Sequence, residues 1–314
     1  MLLRTIAFAS VALLFATLTA SPGNAGTLYV AANGTGVAPC FANAPCPDLG
    51  TALSAAGFGD VIVCLSSPQG LPLTITKSIT IDCAAARAPV RDGGVRTGII
   101  INIAASSADP LRTVRLRGLT IDGAISGNTT PSGRFLDRGI DIQAATAVHI
   151  EDCVIANVNQ QGVYDHRTGG QTKLFIKDTI VSGNGGTGIA IGPQGPSTTV
   201  LDNVRSENNA YGFAVAAGNS VAINRSVFSG NTTAGVEADP GAQIVVNNST
   251  ISHNNIGVQS YQSVRLSNND IAFNTTAVTG SGSGTFGNNR FSGNGTMGTS
   301  PVALGGASSD LGQQ

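Results

Sequence analysis

The chain has 314 residues, with 17 Lys and Arg against 18 Asp and Glu, and charged residues make up only 11% of it. This near-neutral composition lacks the basic patch that holds nucleic acid and the polybasic run that holds anionic lipid. With no Trp, 5% aromatics and 41 Gly, it also lacks the bulky residues of a thick core. Its Val, Ile, Leu and Ala suit a long, thin interior of short strands joined by Gly, Asn, Ser and Thr turns.

In chain order, Arg4 and the apolar run from Ile6 to Ala20 precede Gly23-Asn24-Ala25. This is the pattern of a signal peptide over residues 1–25, cut after Ala25. The run is too short for a comfortable membrane span, and no later stretch approaches one. The expected location is therefore secreted or periplasmic. Residues 26–60 read as an N-terminal cap. Within it Pro47-Asp48 starts a short helix with Leu49, Leu53 and Ala56 on one face, stopped by Gly57. Five cysteines in an oxidising compartment predict disulfides. Cys40 and Cys46 flank a tight Pro-containing loop, and Cys64 and Cys83 end two successive strand-like runs. These pairings leave Cys153 over, in a strand-like run without a basic neighbour to activate it.

Alternating strands follow at 61–63, 73–75, 79–81, 99–101 and 114–116. From about residue 148 one pattern repeats: an apolar alternating triplet, an Asn, then Gly followed by an apolar residue. Marker asparagines fall at Asn157, Asn184, Asn208, Asn231, Asn254, Asn274 and Asn294, spaced by 24, 23, 23, 20 and 20 from Asn184 on. A period in the low twenties fits one coil of three short strands, each stacked on its equivalent about 4.8 Å along the axis. The recurring Asn is expected to take a left-handed turn conformation and to bond its counterpart one coil on. The recurring Gly is expected to permit a sharp corner. The Leu-x-x-Leu-x-Leu frame of leucine-rich repeats is missing, and an up-and-down barrel would need longer strands. The expected fold is all-β: a single-stranded right-handed parallel β-helix over 61–295 with a short N-terminal capping helix. Ser and Gly dominate the rest, so 296–314 is expected to be a flexible tail.

Thr27-Leu-Tyr-Val30 with Asn33-Gly-Thr, the Cys40/Cys46 loop, the helix, Gly59-Asp60-Val-Ile-Val63 and Lys77-Ser-Ile-Thr-Ile-Asp82 resemble the start of bacterial right-handed parallel β-helix proteins of the pectate-lyase-like superfamily. The later coils look like that superfamily's NosD-type repeats. The resemblance covers nearly the whole mature chain and implies a fold. It leaves activity open among lyases, hydrolases, epimerases and adhesins. It also implies that a site, if present, lies on stacked outward columns of one sheet.

Aligning the coils by their Gly corner yields two such columns: Asp141, Tyr164, Ala190, Ala214, Glu237, Gln259, and Gln143, His166, Gly192, Ala216, Asp239, Tyr261. The richer island joins Arg134, Asp137, Arg138 and Asp141 to Tyr164-Asp165-His166-Arg167. Removing the proton beside a uronate carboxylate needs a base, an acid and a cation. His166, Tyr164 and Arg138 or Arg167 could supply them. Tyr164-Asp165-His166 is similar to the Asp-Pro-His signature of alginate C5-epimerases, with the proline absent. The second island, Glu237 and Asp239 with Tyr261 beside them, is read as substrate-binding. Ca²⁺ at this carboxylate pair is the single cofactor candidate. The Asp-Asp, Gly-His-Gly and Arg-x-Lys pattern of polygalacturonase-like hydrolases is absent. His149 and His253 have no ligand-spaced partner. The sequons at Asn128, Asn231, Asn248 and Asn274 reflect turn composition.

The leading expectation is an exported protein that binds or modifies a polysaccharide or cell-surface glycan, with uronate lyase or C5-epimerase chemistry if it is an enzyme. The alternative is a non-catalytic adhesive or envelope-structural β-helix, which the many Ala and Gly of the columns favour. Oligomeric state is not readable.

Overall fold

The computed structural model describes residues 25–87, 91–92, 97–124, 136–261 and 263–304. The expected signal peptide, apart from Ala25, and Arg134 and Asn128 lie outside the described residues. Three parallel sheets of 12, 10 and 8 strands run along the molecule, with each strand hydrogen-bonded to its equivalents in the neighbouring coils. One coil illustrates the path. Asn219–Asn224 lies in the first sheet, Val227–Ser229 in the third and Ala234–Ala238 in the second; Gln243–Asn247 then returns to the first sheet beside Asn219–Asn224. Such parallel crossovers coil right-handed. Val221, Ile223, Phe228, Val236 and Ala238 fill the coil's interior. Alternation along each strand leaves every second residue outside.

The turns divide the labour expected of one asparagine between two residues. Asn157, Gly183, Asn208, Gly230, His253, Phe273 and Gly293 take the left-handed conformation. The residue after each points inward, and from Asn184 through Asn209, Asn231, Asn254 and Asn274 to Asn294 these form the ladder. Asn184 accepts the Val158 N–H at 3.0 Å, and each later ladder Asn accepts, on its side-chain oxygen, both the backbone N–H and the amide of the Asn one coil before, as Asn254 does from Asn231 at 2.9 Å each. Asn208 is therefore a turn residue and Asn209 the ladder member, so the true steps are 25, 22, 23, 20 and 20. One residue cannot do both jobs: Asn208 is exposed while Asn209 is buried.

The recurring Gly also has a different reason from the one expected. Gly162 and Gly212 are not left-handed. A Cβ on Gly212 would lie 2.6 Å from the Gly235 carbonyl oxygen and 2.8 Å from the Asn231 amide. Glycine is required there by the close approach of the next coil.

The helix Leu49–Ala55 packs Leu49, Ala52 and Leu53 onto the open end of the first coils. Asp48 caps it by accepting the Thr51 N–H at 2.7 Å. The Lys77 ammonium donates to the Leu53 and Ala56 carbonyls at 3.0 and 2.6 Å, closing its other end. Cys40–Cys46 and Cys64–Cys83 are both disulfide-bonded. Cys153 is free and buried, and burial pushes its thiol up to about 12, which makes it inert. No helix among the described residues is long and apolar enough to cross a membrane.

The expected tail from 296 starts too early. Thr296–Gly298 pairs with Thr276–Gly280, and Val302–Ala303 pairs with Ser283–Thr285. Backbone pairing to the preceding coil needs no apolar side chain, so Ser- and Gly-rich composition did not end the helix there. Residues 305–314 lie outside the described set.

Removing the Asn231 side chain takes from the buried Asn209 N–H its acceptor at 3.0 Å, while the Asn209 amide keeps the Val181 carbonyl and the Ser206 hydroxyl. Asn231→Ala is expected to cost about 1–3 kcal/mol, whereas Asn208→Gly, at a left-handed exposed position, stays within about 0.5 kcal/mol. Urea denaturation of the two variants measures the contrast.

Candidate functional site

The outward columns of the second sheet fall in the register expected from the Gly corners. Asp141 pairs with Tyr164, Tyr164 with Ala190, Ala190 with Ala214, Ala214 with Glu237, and Glu237 with Gln259. The strands Arg138–Ala144 and Val163–Asp165 carry the first island. Its centre is Asp141, buried but reachable by its neighbours. His166 Nε2 lies 2.9 Å from Asp141 Oδ1, and Gln143 Nε2 donates to Asp141 Oδ2 at 2.9 Å. Arg138 Nη1 stands 3.7 Å from Oδ2. The Tyr164 and His166 rings stack, with centroids 4.4 Å apart and planes 13° from parallel. The Arg138 guanidinium carbon sits 4.7 Å from the centre of the Tyr164 ring, a cation–π arrangement. Arg138 Nε is held by Gln161 Oε1 at 3.0 Å. Sequence reasoning passed over Gln161, which lies one coil away and has no motif of its own.

Two expected site residues face the other way. Asp165 and Arg167 are fully buried and paired: Arg167 Nη2 to Asp165 Oδ2 at 2.5 Å and Nε to Oδ1 at 2.8 Å. Arg167 Nη1 also donates to the carbonyls of Ala145 and Lys173, both at 3.2 Å. The period of two explains the placement: if Tyr164 and His166 face out, Asp165 and Arg167 face in. Arg138, rather than Arg167, is thus the arginine of the surface cluster. The inward pair braces the turn that carries His166.

The second island stands three coils further on. Glu237 is half-buried, and its carboxyl is raised above the ordinary range, first by burial and then by the charge of Asp239. Tyr211, which opens the strand Tyr211–Val215, adds an aromatic at this end. Its phenol is raised by burial and by Glu237, Tyr261 and Asp239. Gln259 Nε2 donates to the Tyr261 hydroxyl at 2.5 Å. Between the islands lies a shallow groove of about 280 Å³ lined by Tyr164, Ala190, Ile191, Gly192, Ala214, Val215, Ala216 and Asp239. The small residues that separate the islands in the sequence form the floor of one trough in the structure. Among the described residues no group of three or more His, Cys, Asp or Glu could hold a metal ion. Two carboxylates fall short of the oxygen set a resident Ca²⁺ takes.

Residues 100–275, more than half of the chain, match the family described as "Right handed beta helix region". The chain belongs to that right-handed β-helix family. Among solved structures, this β-helix is similar to the pectate lyase Pel9A, with a TM-score of 0.52 at 14% identity over 92% of this chain and 78% of that one. It is also similar to the A-module of the Azotobacter vinelandii mannuronan C-5 epimerase AlgE4, with a TM-score of 0.52 at 17% identity over 78% of this chain and 90% of that one. At such identities the likeness is one of fold. No curated protein sequence matches the chain.

In this β-helix the buried pair and the surface cluster respond differently to truncation. Arg167→Ala leaves the Asp165 carboxylate buried and alone, and is expected to cost about 3–5 kcal/mol. His166→Ala, on the surface, costs less than about 1 kcal/mol. Thermal or urea unfolding separates them. Glu237 adds a pH signature. Its folded-state value is raised, so its full stability is present below the ordinary value of 4.5 and is lost as pH rises through the raised value. Glu237→Gln should therefore melt higher than the parent at pH 7 and equally at pH below 4.5, which a melting series across pH checks.

Proposed function

We propose that this protein is exported, binds an acidic polysaccharide along the groove, and cleaves it by elimination at the Tyr164–His166 end. Two disulfides and the expected signal peptide support export. The fold is shared with proteins whose names record action on pectate and mannuronan, which supports the choice of glycan. The single observation that carries the chemistry is the contact of His166 Nε2 with Asp141 Oδ1 at 2.9 Å, with Tyr164 stacked on the imidazole and Arg138 over the phenol.

If Asp141 accepts the Nε2 proton, the lone pair lies on Nδ1, free to take the proton at C5 of a uronate. Arg138 stands where it can neutralise the carboxylate as the electron pair moves into it. The pair then forms the C4–C5 double bond as the C4–O4 bond breaks, and the Tyr164 hydroxyl protonates the departing oxygen. Histidine and tyrosine stand side by side on one wall, which suits removal and delivery of protons at adjacent atoms on one face. The small-residue floor favours a second reading, a non-catalytic glycan-binding surface.

Release of unsaturated uronate, read by ultraviolet absorbance, should appear with one member of a panel spanning pectin, alginate and uronate-containing heteroglycans. His166→Ala and Tyr164→Phe should each lower the rate by about 10²–10⁴. Retention of a glycan without any unsaturated product selects the binding surface instead. Unchanged activity in His166→Ala overturns the assignment of the base.

A further inference from the structure

The two ends of the groove carry opposite chemistry. At one end Arg138 and His166 surround Asp141 and satisfy it. At the other, the Glu237 and Asp239 side chains have neither a hydrogen bond nor an ion pair among the described residues. Every other Asp or Glu side chain described has a partner: Asp60 holds the Gly26 and Gly57 N–H groups, Asp109 holds Ser78, and Asp202, Glu207 and Asp270 hold arginines. Asp239 lines the same groove as Tyr164. The Tyr211 phenol lies within electrostatic reach of Glu237, Asp239 and Tyr261. Tyr261 stands one coil from Asp239, and an aromatic face beside carboxylates that no described protein donor occupies is what a sugar ring with outward donors fits. The separation of Tyr164 from Glu237 is three strand steps, about 14 Å, the reach of a short run of pyranose rings.

We propose that the groove is bipolar and takes a mixed glycan. A uronate occupies the Arg138–His166 end, and three coils on a sugar without a carboxylate presents N–H or O–H donors to Glu237 and Asp239. This rests on the reading of the groove as a polysaccharide site and narrows its ligand. A homopolymer of uronates would set its own carboxylates against two unpaired ones, and like-charge contacts at an interface are costly. The mixed chain meets acceptors with donors at that end and a cation with an anion at the other. Specificity then comes from repulsion at one end as much as from attraction at the other.

The test is calorimetric titration of the purified protein with tetrasaccharides in EDTA and again in Ca²⁺. The probes are an oligogalacturonate and an alternating uronate–hexosamine chain, the latter with free and with acetylated amines. The mixed chain is expected to bind at least about tenfold tighter than the homopolymer, roughly 1.4 kcal/mol. In a Glu237→Gln, Asp239→Asn variant, whose folding is checked by circular dichroism, that preference should collapse because the homopolymer gains affinity. A preference confined to the free amine assigns an ammonium to the carboxylates, and one kept by the acetylated chain assigns hydroxyl or amide donors. Equal or tighter binding of the homopolymer, in EDTA or once Ca²⁺ is added, overturns the bipolar groove while leaving a polysaccharide site standing. An unchanged ratio in the double variant does the same. Failure of all probes to bind overturns both.

Discussion

Stacking in register, one strand step per coil, is the constraint on which the rest of this molecule depends. Because each strand hydrogen-bonds to its equivalent in the next coil, every side chain has its own counterpart as its nearest neighbour along the axis. Inside, that requirement is met by columns of Val, Ile, Leu and Ala. In the turn it is met by asparagines that each accept two hydrogen bonds from the one before. At the corner it leaves so little room that only glycine fits beneath the next carbonyl. Outside nothing enforces likeness, and there the columns are free to vary.

The candidate site uses that freedom while leaning on the interior. Along Val163–Asp165 and into the turn beyond, alternate residues are shared between two tasks. Tyr164 and His166 meet solvent, while Asp165 and Arg167 lock the turn from within by an ion pair and carbonyl contacts. A charged pair in a β-helix interior is costly unless every donor and acceptor is met. Here the guanidinium reaches two carboxylate oxygens and several carbonyls at once. The surface histidine thus stands on a rigid base, as the proposed proton transfer requires. Ala190, Gly192, Ala214 and Ala216 keep the ground between the two polar islands low, so that the sheet face becomes a trough.

The short-range features were legible in the sequence for identifiable reasons. The cap helix at Asp48, both disulfides and the outward columns follow from capping chemistry, cysteine placement and the period of two. The same period, applied one residue further, would have turned Asp165 and Arg167 inward. Their charge drew them into a surface cluster, because a buried ion pair leaves no mark in a sequence apart from the alternation itself. The misassignment of Asn208 has a similar origin: Asn serves equally in a left-handed turn and in a ladder, and adjacent asparagines look interchangeable until the backbone assigns one to each. The tail was misjudged because strand pairing at the end of a solenoid is a backbone property that composition does not record.

By itself, the sequence determined the period, the three-strand coil, which residues face out and the pairing of cysteines, since all of these rest on interactions between neighbours in the chain or between equivalent positions in adjacent repeats. Only the tertiary structure decided which polar groups touch. That His166 meets Asp141 and that Gln161 holds Arg138 depend on rotamers and on the exact offset between strands. Those are set when all the coils pack together, and no single repeat contains them.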